Sequence, residues 1–179
     1  MYDLYESNRS DSERYILGRS GKRTLFAVGL NPSTANREKS DTTVAKVETV
    51  ALNSGYDGFV MANLYPRRST IPGNLPAHAM KASMARNIAE ILKHAEIEEA
   101  PRFWAAWGVN IVIRDYLVEA LQTLNAEIEK IGGLWYCYGD RTKSGHPKHP
   151  SRLSYEWVFQ PFDMNTYIEK LDEALSRRV

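Results

Sequence analysis

At 179 residues, with 43% hydrophobic and 25% charged content and a formal net charge of +1, the chain is long enough for one real core, too short for two comfortable ones, and not held to nucleic acid by bulk charge. Its single cysteine, Cys137, excludes an internal disulfide and a multi-thiolate metal centre, and fits a reducing, cytoplasmic compartment. No stretch approaches the ~20 apolar residues of a membrane helix, and Met1 to Arg23 has no apolar export core, so neither a membrane partner nor export is expected.

No repeat or linker-like run divides the chain. Residues 1–179 therefore read as a single α/β domain, with 1–13 allowed for as a flexible N-terminal segment. Arg14 to Leu17 reads as an edge strand. Thr24 to Leu30 is almost continuously apolar and ends abruptly at Asn31-Pro32-Ser33, which predicts a buried central strand. A helix follows from an Asp41 N-cap, with Val44, Val47, Val50 and Ala51 at helical spacing and Gly55 just past its end. Gly58 to Ala62 is the next strand, closed by Asn63. From about Ala77 to His94, Met80, Met84, Ile88, Ile91 and Leu92 share one helical face. Arg102 to Trp107 predicts a third strand, Ile111 to Leu124 a helix, Leu134 to Tyr138 a fourth strand, and Asn165 to Arg177 a last amphipathic helix. Between these last two elements runs a polar loop, Gly139 to Ser154.

Strands alternating with helices imply a three-layer α/β/α sandwich around a mostly parallel central sheet of four to five strands. Ligands of such sheets bind beyond the carboxyl ends of the strands. Asn31-Pro32-Ser33, Asn63-Leu64-Tyr65-Pro66, Trp107-Gly108 and the loop bearing His146 and His149-Pro150-Ser151 all fall there. Each also has an ordinary structural reading. Asn-Pro after a strand forms a turn, a strand-ending Asn satisfies loose backbone groups, and Asp41 caps its helix. Trp104 and Trp107 lie three apart in one strand and so face opposite ways, which makes at least one of them core while Trp107 can line a pocket. Cys137 is strand packing. Between Asp140 and Ser154, Arg141, Lys143, Lys148 and Arg152 outnumber the one acid by three. That is either a solvated surface or, with Lys148 and Arg152 beside the histidines, a phosphate contact. His146 and His149 have no third ligand at metal spacing, so no metal and no cofactor is expected.

Gly29-Leu30-Asn31-Pro32-Ser33, Asp41-Thr42-Thr43, Asn63-Leu64-Tyr65-Pro66, Trp107-Gly108 and the Gly-His-Pro-x-His-Pro run ending at Pro150 together resemble the domain of unknown function 1643 (DUF1643) family, over roughly Arg14 to Ser154. They also resemble the uracil-DNA glycosylase-like superfamily, whose members open the site with Gly-x-Asp/Asn-Pro after a strand and close it with His-Pro-Ser-x-Leu-Ser. The second motif reads here as His149-Pro150-Ser151-Arg152-Leu153-Ser154.

That second resemblance implies an N-glycosidic hydrolase acting on a base in DNA or in a nucleotide. Asn31 would orient the attacking water and His149 would donate to the oxyanion developing on the base. Asn63 would read the base edge, within a pocket of Gly29, Pro32, Ser33, Tyr65 and Trp107. Ser151 and Ser154 would hold phosphates with Lys148 and Arg152, and Leu153 would be a wedge in the base stack. Asn in the place of Asp implies slow, mismatch-type turnover. Tyr155-Glu156-Trp157 replaces the Arg that often follows the second motif, and no four-cysteine cluster ligands are present. The alternative reading is a noncatalytic nucleic-acid or nucleotide-binding module on the same scaffold. No oligomeric state is implied.

Overall fold

A computed structural model describes residues 1–177. Seven strands form one sheet: β1 (Leu4–Ser7), β2 (Arg14–Arg19), β3 (Thr24–Gly29), β4 (Gly58–Asn63), β5 (Arg102–Ala105), β6 (Leu134–Tyr138) and β7 (Phe159–Pro161). Their spatial order is β1-β2-β4-β3-β5-β6-β7. The four inner strands β4, β3, β5 and β6 run parallel, whereas β1, β2 and β7 join antiparallel. The sheet is thus mixed and wider than the mostly parallel one of four to five strands that alternation predicts. The discrepancy lies at its rims, where the strands are short and polar (Leu-Tyr-Glu-Ser) or contain proline (Phe-Gln-Pro), so neither carries an apolar run. β2 is interior, paired with β1 on one side and β4 on the other. The segment 1–13 is likewise not loose, because β1 is part of the sheet and Tyr2 is buried.

Helices cover both faces: α1 (Thr42–Asn53) on one, and α2 (Lys81–Ala95), α3 (Asp115–Lys130) and α4 (Met164–Ser176) on the other. Strand periodicity sorts the core between them. Leu25, Ala27, Phe59, Met61 and Trp104 point under α1, while Phe26, Val28, Val60, Phe103 and Trp107 point toward α2 to α4. Each such fully buried aliphatic or Phe side chain contributes about 1.5–3 kcal/mol through apolar burial. The same alternation carries Asn63, two residues beyond Met61, onto the α1 side.

α1 begins where its cap predicts, with the Asp41 carboxylate accepting from the Val44 amide at 2.9 Å. Such a cap stabilises a helix by about 1 kcal/mol. α2 starts later than the pattern from Ala77 suggests, since the Met80 amide is drawn onto the Tyr65 hydroxyl at 3.1 Å and no side chain caps the helix. α3 likewise starts at Asp115 rather than Ile111. A 3-10 turn, Gly108–Ile113, takes up the preceding residues, and the guanidinium of extended Arg114 holds the carbonyls of Gly73, Leu75 and Pro76. α3 also continues past Leu124, because the polar residue next in line, Asn125, is buried and hydrogen-bonded by Trp135 Nε1. No helix among the described residues is long and apolar enough to cross a membrane.

Candidate functional site

In chain order the inner strands β3, β4, β5 and β6 lie in the spatial order second, first, third, fourth, so the direction of winding reverses between β3 and β5. A crevice opens outside the carboxyl ends of strands at such a reversal. There the protein has a cleft of about 750 Å³ lined by Asn31, Ser33, Asn63, Trp107, Lys148, His149, Ser151 and Arg152, together with Arg14, Asp41, Thr43, Ser69, Asn110 and Trp157.

Two loops form one wall. The Leu64 and Tyr65 amides donate to the carbonyls of Gly29 and Leu30 at 2.9 and 3.0 Å, and the Ser69 amide donates to Pro32 O at 2.9 Å. Asn31 closes this seam with its Nδ2, which donates to Ser69 O at 2.8 Å and Pro32 O at 3.1 Å. Both amide protons are thereby committed to carbonyls. The orientation of the side chain is fixed, and Oδ1 accepts no hydrogen bond among the described residues.

Asn63 ends β4 and is 1% exposed, yet neither its Oδ1 nor its Nδ2 has a hydrogen-bond partner among the described residues. A buried amide left unmatched at both ends costs free energy that a ligand offering an acceptor and a donor would recover. Gly29, its neighbour across the β3–β4 ladder, makes room for it: a Cβ there would stand 2.8 Å from Asn63 Oδ1 and 2.7 Å from Met61 Cε. Gly29 thus acts beneath the site without lining it.

His149 is the N-cap of a short 3-10 turn, Pro150–Arg152. Its Nδ1 accepts from the Ser151 amide at 3.2 Å and lies 2.8 Å from the Ser151 hydroxyl. Accepting at Nδ1 assigns the proton of the neutral ring to Nε2, making that edge a donor. Burial holds the imidazole below its ordinary pKa; Asp41 opposes the shift, whereas Arg152 and Lys46 reinforce it. Lys46, on α1, secures the turn by donating to the Ser151 carbonyl at 2.8 Å. Gly108, at φ +72°, packs beneath His149, since a Cβ on it would meet His149 Cβ at 3.1 Å. Ser151 is therefore engaged in orienting the histidine.

Several expected residues serve elsewhere. Pro32 is buried outside the lining and contributes its carbonyl to the seam. Tyr65 is buried in the opposite core, its ring 4.9 Å from Tyr116 and its hydroxyl accepting from the Met80 amide, so it is not an aromatic of the cleft. Leu153 packs against the core under α1 instead of standing free as a wedge. Ser154 Oγ accepts from the Glu156 amide at 3.3 Å. His146 turns away: its Nδ1 lies 2.8 Å from the Tyr167 hydroxyl, which itself accepts from Trp107 Nε1 at 3.1 Å. That chain fastens the basic loop and the end of β5 to α4.

Trp107 and Trp157 both line the cleft, but the Trp107 indole is buried against Trp135 and Tyr167 in the opposite core, whereas Trp157 has the Lys148 ammonium 4.0 Å above its ring. Among the lining residues that the sequence does not single out are Arg14 and Trp157, with Ser69 and Asn110. Arg14 reads as the polar start of a strand and Trp157 lies past the motif. The one signal for Arg14 is a charge adjoining the apolar run Tyr15-Ile16-Leu17.

A model of the family described as Protein of unknown function (DUF1643) matches residues 14–151, from the first residue of β2 to the turn that carries His149. No curated protein and no solved structure matches the chain, and these comparisons lend nothing to the glycosylase-like motifs.

Proposed function

Because the chain belongs to the DUF1643 family, which carries no assigned activity, we propose from the chemistry of the cleft, together with the glycosylase-like motifs that line it, that it is a slow, DNA-glycosylase-like N-glycosidic hydrolase acting on a base in DNA or in a nucleotide. The observation that carries this reading is the buried Asn63 amide, unpartnered at both ends, in the same cleft as the vacant acceptor of Asn31 and the fixed ring of His149. Asn63 presents one donor and one acceptor to the edge of a pyrimidine or similar base, and Trp157 supplies an aromatic surface beside it. Asn31 Oδ1 orients a water toward C1′. As the C1′–N bond breaks, its electron pair passes to the base, and His149 Nε2–H donates to the carbonyl oxygen on which that charge develops. The water oxygen bonds to C1′ and its proton leaves to solvent or to the departing base, giving free base and a sugar hydroxyl. An amide orients water but removes a proton poorly, so turnover is slow. A uracil-DNA glycosylase-like fold belongs to the same reading, and the parallel inner strands with helices on both faces support it.

Single-turnover assays on oligonucleotides and mononucleotides carrying uracil, hypoxanthine or a modified pyrimidine test this by chromatographic detection of free base. Release that depends on Asn31 and His149 supports the hydrolase. Absence of release from every substrate shifts the conclusion to a noncatalytic nucleotide- or nucleic-acid-binding module, a reading favoured by Lys148 and Arg152 on the cleft wall.

A further inference from the structure

Arg14 has no part in the chemistry proposed above. It lines the cleft and is 1% exposed, although it carries a full charge. Of the five N–H donors of a guanidinium, only those on Nη1 are matched among the described residues, by the Ala35 carbonyl at 2.9 Å, and Nε has no partner. Arg14 forms no ion pair among the described residues. Asp41 attracts it, but both Asp41 oxygens are occupied by the amides of Val44 and Ala35, and Arg68 repels it more strongly than Asp41 attracts it. Burial first, then Arg68, push its pKa down to about 10, so it stays a cation at neutral pH. A buried cation with no carboxylate in ion-pair contact is costly to hold and is completed by an anion.

The surroundings agree. The cleft is lined by three cations, Arg14, Lys148 and Arg152, against the single carboxylate of Asp41. Thr43 and Val44 add the positive end of the α1 dipole.

We propose that Arg14 forms the floor of an oxyanion subsite in this cleft, and that the subsite takes the terminal phosphate of a mononucleotide whose base lies at Asn63. The base end rests on the reading of Asn63 given above, whereas the phosphate end is independent of turnover. A phosphomonoester carries roughly −1.5 to −2 charges at neutral pH, which matches the lining's excess of cations. A phosphodiester carries about one and continues in both directions, so it suits the exposed wall at Arg152 better than an enclosed floor.

Calorimetric titration of the full chain tests the assignment with inorganic phosphate, with dUMP and dIMP against their nucleosides, and with a uracil-containing single strand lacking terminal phosphates. The expected result is that a nucleotide binds at least tenfold tighter than its nucleoside, that phosphate competes with it, and that the single strand does not displace phosphate. Arg14→Gln should erase the nucleotide's advantage. Because Arg14 also holds Ala35, Asp41→Asn provides a second variant: Asn caps a helix as well as Asp, and loss of the lone carboxylate should tighten phosphate several-fold. Equal affinity for nucleotide and nucleoside, or unchanged phosphate affinity in Asp41→Asn, overturns the subsite. Displacement of phosphate by the single strand overturns the mononucleotide assignment. If the nucleotide's advantage survives but no base is released, the subsite stands and the hydrolase does not; base release with equal affinities reverses that outcome.

Discussion

At the scale of single residues, the proposed hydrolysis would give Asn63 and His149 different contributions. In that mechanism His149 would act on charge that appears only in the transition state, so His149→Ala should raise the barrier by about 2–4 kcal/mol and slow the single-turnover rate roughly 30- to 1000-fold, with affinity nearly intact. Asn63 would meet the base both before and during that reaction. Asn63→Ala should therefore weaken binding and relax base choice as well as slow the chemistry, and equal small effects from both substitutions would count against the mechanism. pH separates the histidine further. Its pKa lies below the ordinary value near 6.5, so the ring is neutral at pH 7 and the rate should be flat above that value. As pH falls through the lowered pKa, an N–H forms at Nδ1 and faces the Ser151 amide donor, which turns the ring out of place. The rate should then drop, and a pH profile of His149→Asn should lack that acid limb. Asn31, Asn63 and His149 are legible in the sequence because each ends a strand or sits in a motif whose position topology dictates. Arg14 is not, because the sequence shows a charged residue opening a strand and cannot show that every neighbour able to neutralise it is occupied elsewhere.

At the scale of elements, the buried strands and the Asp41-capped helix are written in local patterns: apolar runs closed by Asn or Gly, and apolar spacing between cap and glycine. What is not written locally is fixed by distant partners. β1 and β7 exist because β2 and β6 offer them unpaired edges, and α3 is delayed by the Arg114 clamp on a loop some 40 residues earlier in the chain. The turn after β5 directly positions the His149 side chain. Gly108 has a left-handed backbone and only 3.1 Å of space beneath His149. Gly108→Ala should cost about 1 kcal/mol or more of stability from the backbone alone, measurable by urea denaturation. It should also lower the catalytic rate by displacing His149, while Gly73→Ala, in a glycine with open space around it, should leave the rate unchanged.

At the scale of the whole molecule, Arg68 joins the first thirteen residues to the loop beside the cleft. Arg68 donates to the Tyr5 hydroxyl at 2.7 Å and pairs with Asp11 at 3.2 Å, and with its other arm donates to the carbonyls of Ser33 and Ala35 at 2.7 and 2.8 Å. Removing residues 1–13 should therefore do more than expose the edge of β2. It should lower the melting temperature and, separately, weaken phosphate binding, because Arg68, which with Arg14 holds the Ala35 loop, loses its Tyr5 and Asp11 anchors. A truncation that melts earlier but binds phosphate as before would show the tie to be structural only. The shared Ala35 carbonyl, held by Arg14 and Arg68 together, has a consequence for time as well as for energy. An anion drawn onto Arg14 stiffens the loop at Ala35, and through Arg68 restrains the N-terminal strand on the far side of it. Amide hydrogen exchange at Tyr2, whose N–H is bonded to Arg37 O at 2.8 Å in that same loop, should slow when phosphate is added, so that the chain's beginning reports whether its cleft is filled.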